Sequence, residues 1–533
     1  MDKVVCCLPY FISGNSTARY SDSQSRPLRI LIIKSIFLCL HNLSMKKATL
    51  LLLQFFSFLF SFCQQISVSY TKPAYDKPFS GKVFLYLSKD NHEPKSGAVG
   101  VESFPCFAIE VKNVQPGQAV IFDDRAISYP AALSDLERNE YYVQAVWDRN
   151  LGGRAVSESP GNMYSTPIKI KLTKDLKEVF SVQCKEVIPA PGFTDTKFVK
   201  ELKIQSTLLS AFHHKPYSLA AAVVLPKSYY DDPQKRYPVI FHVFGYGGDY
   251  HFRSGDTISR GRLDSIEAII VYLDGNCPLG HSVYANSDNN GPCGDALVKE
   301  FIPELEKQYR CNGARLLRGH SSGGWTVLWL QTHYPTTFTA CWSSSPDPVD
   351  FRDFQKINLY EGENMYYAKD SSLRMVGTVA GIFPWISMKQ DCQMEYVVYR
   401  GEQMHSFDAV FSGKGADGNP VAICDPMTGE VNKNVFQHWK NYDISLYLRT
   451  NWDKLQKDLY GKIRVSVGEQ DNFYLNSAVH LLESEMKKLN TGFVFEYFPG
   501  DHFTVSTPEY RKAADHFLIA KYLDWEKVNK KGF

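Results

Sequence analysis

The segment Gly319-His320-Ser321-Ser322-Gly323 decides how this sequence is interpreted. It is the one Gly-x-Ser-x-Gly pattern in the chain, and it follows an apolar run that ends in Leu316-Leu317-Arg318. A helical pattern from Gly324 to Thr332 comes directly after it. The pattern alone is weak evidence, since an ordinary glycine turn can carry a serine. A strand before it and a helix after it predict a nucleophile elbow, which exposes the Ser321 hydroxyl at the positive end of a helix.

The sequence around this elbow alternates between apolar strand patterns and helical patterns. Strands buried on both faces, joined by helices, are typical of a doubly wound, mostly parallel sheet, so we expect an α/β fold. Two helices are clear, at 295–309 and 476–489, with Asn476 as the cap of the second. The predicted strands are Ala221–Leu225, Val239–Phe244, Ala268–Leu273, Arg315–Arg318, Phe338–Ser343, Ile463–Val467 and Val494–Tyr497.

Partners for the serine follow two later strands. The strand from Ile463 runs into Gly468-Glu469-Gln470-Asp471, which places carboxylates at its carboxyl end, where doubly wound sheets have their sites. We favour Asp471 as the orienting acid, with Glu469 as its rival. His502 lies on the loop after the last strand. The resulting chain order of Ser, Asp and His is the one that an α/β-hydrolase uses.

These residue types suit acyl transfer by a serine. A serine hydroxyl is a poor nucleophile until an imidazole takes its proton, and the imidazole needs a carboxylate to fix its tautomer. The tetrahedral oxyanion needs N–H donors, and we expect the amide of Ser322 to be one of them. The amide of Tyr246, in the turn Gly245-Tyr246-Gly247-Gly248, is the second candidate. The alternative is that these glycines serve only the turn.

With these motifs in place, the region from about 202 to 525 resembles the putative esterase, or esterase D-like, family of α/β-hydrolases. That family includes feruloyl and acetylxylan esterases, enterochelin esterases, S-formylglutathione hydrolases and mycolyltransferases. The resemblance lies in 244–248, 319–324, Asp471 and His502, and the segment 287–292 is similar to bacterial members. The family usually has His-Gly where this chain has Phe244-Gly245, which leaves the triad intact and weakens the oxyanion assignment. The resemblance implies a secreted bacterial serine esterase.

The rest of the chain predicts further domains. Short alternating strands with Gly, Pro and Asn turns predict an antiparallel, sandwich-like all-β domain at 66–185, followed by a linker at 186–200. The catalytic domain then spans 201–528. Within it, 346–462 is longer than a minimal hydrolase needs, so we interpret it as an insertion that forms a lid. The alternative is that its aromatic residues pack a local core.

The N-terminal sequence predicts that the protein is exported from the cell. A secretory signal is matched by Lys46 and Lys47 after Met45, by the apolar run that follows, and by Ser61-Phe62-Cys63 before Gln64. Residues 45–63 are therefore the predicted signal peptide. Residues 1–44 are predicted to be an upstream extension outside the mature protein. We therefore expect a secreted or periplasmic protein. The alternatives are a membrane anchor and lipidation of Cys63.

Composition and cysteine spacing disfavour several classes of partner and cofactor. The chain has 533 residues and a net charge of +2 without a basic stripe, which disfavours nucleic acid as a partner. Cysteine spacing does not fit a zinc site, and we expect no metal, no cofactor and no stable membrane span in the mature protein. The leading hypothesis is a serine carboxylic-ester hydrolase acting on a small-molecule or glycan ester, carbohydrate-linked or siderophore-like. The alternatives are a serine peptidase of the same fold and a non-catalytic carbohydrate-binding protein.

Overall fold

The computed structural model describes residues 65–91, 93–97, 104–173, 179–379 and 383–529. The described residues belong to one compact unit. The predicted upstream extension, the signal peptide and the lipidation of Cys63 lie outside the described residues. Within the described ranges, no helix combines the length and the apolar composition that a membrane span requires.

The N-terminal part of the compact unit is strand-rich, as predicted. A three-stranded sheet has the order β4-β1-β9, and a second sheet has the order β10-β7-β6-β2-β3-β5, with β8 also pairing with β6. Strands β1 and β9 are parallel, which differs from the antiparallel expectation. The two strands are far apart in the chain, so no hairpin turn between them imposes an antiparallel pairing. The strands are β1 (Gln65–Tyr70), β2 (Phe79–Ser88), β3 (Cys106–Val114), β4 (Val120–Phe122), β5 (Ile127–Tyr129), β6 (Glu140–Trp147), β7 (Met163–Tyr164), β8 (Ile168–Lys171), β9 (Val179–Cys184) and β10 (Glu186–Val187).

The larger C-terminal part is built on an eight-stranded sheet, and the predicted mostly parallel sheet is confirmed. Its order is β11-β12-β14-β13-β15-β16-β17-β18, with only the β11–β12 and β12–β14 pairs antiparallel. All seven predicted strands belong to it. The strands are β11 (Val199–Gln205), β12 (Ser218–Val224), β13 (Tyr237–Val243), β14 (Ile269–Leu273), β15 (Cys311–His320), β16 (Ala340–Ser344), β17 (Ile463–Gly468) and β18 (Val494–Phe498).

Sequence analysis did not identify strand β11. Its sequence, Val-Lys-Glu-Leu-Lys-Ile-Gln, is half polar because it is an edge strand, with Val199 and Leu202 buried and Lys203 and Gln205 exposed. The other strands are recognised by nearly continuous apolar runs, and the alternation of polar and apolar residues in β11 does not give such a run.

Helices cover both faces of this sheet. The predicted helix at 295–309 consists of α2 and α3 joined by a π-helical turn at Leu297–Phe301. The predicted cap at Asn476 is wrong: α9 begins at Leu475, and the main-chain amide of Leu475 donates to the Asp471 carboxylate at 3.4 Å. The helices are α1 (Thr207–His213), α2 (Cys293–Ala296), α3 (Ile302–Gln308), α4 (Ser322–His333), α5 (Met388–Val398), α6 (Gln403–Phe411), α7 (Lys433–Trp439), α8 (Ile444–Leu459), α9 (Leu475–Lys488) and α10 (Pro508–Asn529).

The segment 346–462, between β16 and β17, carries α5 to α8. Tyr366, Trp439 and Tyr442 are buried in the main core, whereas Trp385 and Phe407 line a cavity described below. This segment also packs against the strand-rich region. Arg400 donates to Asp148 at 2.8 Å, and both side chains are almost fully buried. A buried ion pair of this kind fixes the relative position of the two surfaces, because separating them would leave a buried charge without a partner.

Candidate active site

The turn between β15 and α4 has the geometry of a nucleophile elbow. Ser321 adopts φ 59° and ψ −127°, a backbone conformation that non-glycine residues rarely occupy. The flanking glycines are required for space. A Cβ on Gly319 would lie 2.1 Å from the Gly323 carbonyl oxygen, and a Cβ on Gly323 would lie 2.2 Å from the Val243 carbonyl oxygen. The sequence thus permits a close approach of α4 to β13 that any side chain would block.

This turn holds Ser321 at the carboxyl end of the sheet. The Ser321 amide donates to the Ser344 carbonyl at the end of the neighbouring strand β16, at 3.0 Å. Helix α4 begins at the next residue, so its N-terminal amides and the positive end of its dipole face the serine. Negative charge that develops on an atom bound to Ser321 would therefore be stabilised.

Asp471 and His502 form a buried pair beside the elbow. His502 Nδ1 lies 2.8 Å from one carboxylate oxygen of Asp471. The other oxygen of Asp471 accepts from the Phe473 amide at 3.0 Å, and the His502 amide donates to the Asn472 side chain at 2.9 Å. Glu469, the rival acid, is exposed at the end of β17. Of the two carboxylates considered from sequence, Asp471 is therefore the one in contact with the imidazole.

Ser321 and His502 line the same cavity, which has a volume of about 530 Å³. That volume suits a small organic substrate. The Ser321 hydroxyl is a hydrogen-bond partner of the buried Asp347 carboxyl and lowers the pKa of that group.

Of the two residues considered for an oxyanion hole, Tyr246 lines this cavity and Ser322 is the first residue of α4, directly after the cavity-lining Ser321. Gly245 packs directly on the nucleophile, since a Cβ at that position would lie 3.1 Å from the Ser321 Cβ. Tyr246 follows Gly245 directly in the chain, and Ser322 follows Ser321. Among the described residues, neither amide donates a hydrogen bond to a protein acceptor. Both are therefore available to an oxygen atom bound at Ser321.

Sequence analysis missed two polar groups of this site. Asp347 is buried and accepts from the Ser322 hydroxyl at 2.6 Å, and burial raises the pKa of its carboxyl to about 6. The His320 ring lies beside that of His502, with ring centroids 4.6 Å apart and the planes tilted by 42°, and burial together with the neighbouring His502 lowers the pKa of His320 to about 4. Asp347 follows strand β16 just as Asp471 follows β17, so the same rule that identified Asp471 had a signal for it.

A residue of the strand-rich region also reaches the site. Arg154 donates to the Tyr246 hydroxyl at 2.7 Å, and its guanidinium lies 4.5 Å from the centre of the Tyr246 ring. The same hydroxyl donates to the Gly401 carbonyl of the segment between α5 and α6. The Tyr246 side chain is thus held from two sides, which fixes the turn that carries its amide.

One comparison with known proteins identifies a family for this chain. A family model described as "Putative esterase" matches residues 217–506, just over half of the chain. The comparison with curated proteins gives no match.

Among solved structures, a ferulic acid esterase is 15% identical with a TM-score of 0.38, and the match covers 62% of this chain and 100% of that one. An S-formylglutathione hydrolase from Agrobacterium tumefaciens is 13% identical with a TM-score of 0.35, covering 62% of this chain and 96% of that one. A dipeptidyl peptidase 4 from Porphyromonas gingivalis is 13% identical with a TM-score of 0.35, covering 83% of this chain and 49% of that one. Assignment of this chain to a family rests on the family model.

Proposed function

The chain belongs to the putative esterase family and is a carboxylic ester hydrolase, and we propose that it cleaves its ester with a Ser321–His502–Asp471 triad through an acyl-enzyme intermediate. The observation that carries this proposal is the position of a strained serine at an elbow, in one cavity with an imidazole that a buried carboxylate holds at 2.8 Å. The substrate is a small-molecule or glycan ester, of the carbohydrate-linked or siderophore-like kind.

The chemistry follows from the position of each group. His502 Nε2 takes the Ser321 hydroxyl proton as Oγ attacks the ester carbonyl, while Asp471 keeps the proton on Nδ1 and stabilises the imidazolium. The amides of Tyr246 and Ser322 donate to the oxyanion. The imidazolium then protonates the departing alkoxide, and water, activated by the same imidazole, releases the acid from Ser321. His320 stays neutral because of its lowered pKa, so it does not compete with His502 as a cation.

We expect the protein to cleave esters much faster than amides. The alkoxide of an ester departs with less help than an amine, which needs a proton delivered to nitrogen during cleavage. The test compares 4-nitrophenyl acetate with 4-nitroacetanilide, which share the acyl group, in a kcat/KM measurement. The expected preference for the ester is about 10²- to 10⁴-fold, the range that general acid catalysis supplies.

Dipeptidyl 4-nitroanilides and a fluorophosphonate probe separate the alternatives. Robust cleavage of the dipeptidyl anilides with negligible ester turnover would favour a serine peptidase. Inactivity on every substrate, with no labelling of Ser321 by the probe, would favour a non-catalytic carbohydrate-binding protein. Ester turnover together with labelling of Ser321 supports the esterase.

We also expect Arg154 to act as a positioning residue for the oxyanion turn. Its guanidinium holds the Tyr246 side chain, so Arg154→Met should loosen the adjacent amide and lower kcat by about 10-fold, less than the loss of an oxyanion donor itself. KM should change little, because the transition state depends on the amide more than the ground state does. Arg154→Lys should recover part of the rate through a single hydrogen bond.

The matched control for this prediction is Arg149→Met. Arg149 lies in the same strand-rich region and packs its guanidinium 4.2 Å from the centre of the Tyr75 ring, away from the cavity. It should leave kcat unchanged. An equal loss in both variants, or a purely thermal destabilisation by Arg154→Met with unaltered kcat, would contradict the positioning role.

A further inference from the structure

The carboxyl group of Asp391 is part of the wall of the active-site cavity. Asp391 lies in the first turn of α5 and lines the cavity together with Ser321 and His502. The residue is only 9% exposed. Its main-chain amide donates to the Ser387 carbonyl at 3.0 Å, whereas its carboxyl oxygens have no hydrogen-bond or ion-pair partner among the described residues. A largely buried carboxyl with no protein partner can be solvated only from the cavity that it lines, so a ligand bound there would have to supply its hydrogen-bond partner.

Two other carboxyls lie nearby, and each is satisfied by the protein. Glu395, one turn further along α5, accepts from the main-chain amides of Met404 at 3.0 Å and His405 at 2.7 Å. Glu402 accepts from the Arg400 amide at 2.8 Å. Neither of them lines the cavity. The acidic cluster is therefore mainly structural, and only Asp391 directs free acceptor atoms toward a ligand.

The charges around Asp391 favour a donor rather than an anion. Burial, followed by the charge of Glu402, raises the pKa of the Asp391 carboxyl to about 7. No lysine or arginine lines the described cavity, and its other carboxylate, Asp347, carries the same sign. An anionic group on a substrate would be repelled here, whereas an O–H or N–H group would supply the missing partner.

Few of the other residues that line the cavity with Asp391 offer a polar group to a ligand. Ile386, Met404 and Phe407 give this part of the cavity an apolar surface, and Gln403 adds a second polar side chain. A hydrogen bond in apolar surroundings discriminates strongly, because a ligand that lacks the donor leaves the buried carboxyl unpaired again.

We propose that the Asp391 carboxyl binds a hydrogen-bond donor of the substrate, a hydroxyl or an ammonium group, and so selects esters that carry such a donor at this end of the cavity. The inference rests on the proposed esterase function. It identifies the chemical class of substrate by the one carboxyl among the described cavity-lining residues that has no protein partner.

The experiment compares esters that differ only in a donor. For the acyl side, 4-nitrophenyl 3-phenylpropanoate is compared with its 4-hydroxyphenyl and 4-(aminomethyl)phenyl analogues. For the alcohol side, 2-phenylethyl acetate is compared with 2-(4-hydroxyphenyl)ethyl acetate. On the side that reaches Asp391, the wild-type kcat/KM should be higher for the donor-bearing ester by about 10-fold or more, as one hydrogen bond to an ionisable group provides.

Variants of Asp391 then assign the preference to this residue. In Asp391→Leu the ratio of donor-bearing to plain ester should fall to within about 2-fold of unity, while the melting temperature stays equal or rises, because an unpaired buried carboxyl is removed. Asp391→Asn should keep part of the hydroxyl preference and lose the ammonium preference. If the leucine variant fails to fold, the asparagine variant decides by this difference. The matched control is Asp453→Leu, at an exposed position of α8, which should leave the ratio unaltered.

Two results would overturn the inference while leaving the esterase intact. One is a wild-type enzyme that hydrolyses plain and donor-bearing esters equally well on both sides. The other is a donor preference that survives Asp391→Leu. Failure of the wild type to hydrolyse any of these esters would refute the proposed function, and the inference with it.

Discussion

Ser321→Ala is expected to abolish ester hydrolysis while leaving the fold intact. The hydroxyl is the atom that forms the bond to the acyl group, and loss of a serine nucleophile in a triad lowers kcat by about 10⁶-fold in a well-studied protease. Alanine retains the Cβ and the backbone conformation of the elbow, so the melting temperature should change little. The measurement is kcat on 4-nitrophenyl acetate together with a thermal melt.

Two matched variants test the position of the nucleophile. Ser321→Gly should be equally inactive and more stable than Ser321→Ala by roughly 1 kcal/mol, since glycine adopts a positive φ without strain. Ser322→Ala should cause a smaller loss of activity, because it removes a hydroxyl that donates to Asp347 and keeps the amide. Retention of activity in Ser321→Ala with its loss in Ser322→Ala would move the nucleophile by one residue.

The parts of the fold that sequence predicted well are those with local signals. Interior strands such as β13 and β16 are buried on both faces, and the elbow is defined by glycines at positions that have no room for a side chain. Strand β11 was missed because Lys200, Glu201 and Lys203 interrupt its apolar residues, whereas β18 at the other edge of the sheet is mostly aromatic and aliphatic. The start of α9 was predicted one residue late, because Tyr474 before it has a left-handed conformation. In place of an ordinary cap, the carboxylate of Asp471, a triad candidate, accepts a hydrogen bond from the Leu475 amide.

The parts of the site that sequence did not predict depend on contacts between distant segments. Arg154 reaches Tyr246 across 92 positions of the chain, from a loop of the strand-rich region that carries no catalytic pattern. Asp391 looks like an ordinary acidic residue in the first turn of a helix. Only tertiary packing shows that its carboxyl is buried, unpartnered and part of the cavity wall. Local periodicity contains no information about either contact.

Asp471→Asn is expected to lower kcat by about 10²- to 10⁴-fold, and Glu469→Gln to have little effect. In the asparagine variant the oxygen that accepts from the Phe473 amide can stay in place, while an amide group replaces the oxygen that faces His502 Nδ1 at 2.8 Å. An NH₂ group there forces the imidazole into the wrong tautomer, with its proton on the nitrogen that has to accept from Ser321. The shape of the site is retained, so the loss should appear in kcat at neutral pH more than in thermal stability.

Glu469→Gln is the matched control, because it makes the same change of carboxylate to amide two residues earlier in the chain. The side chain of Glu469 is exposed. The substitution does not affect the hydrogen bond that the Glu469 main-chain amide donates to the Phe498 carbonyl. A kcat close to that of the wild type is therefore expected. A greater loss in Glu469→Gln than in Asp471→Asn would assign the orienting acid to Glu469 instead. It would also require the loop after β17 to rearrange before reaction, because the Asp471–His502 contact seen here would then belong to a resting state.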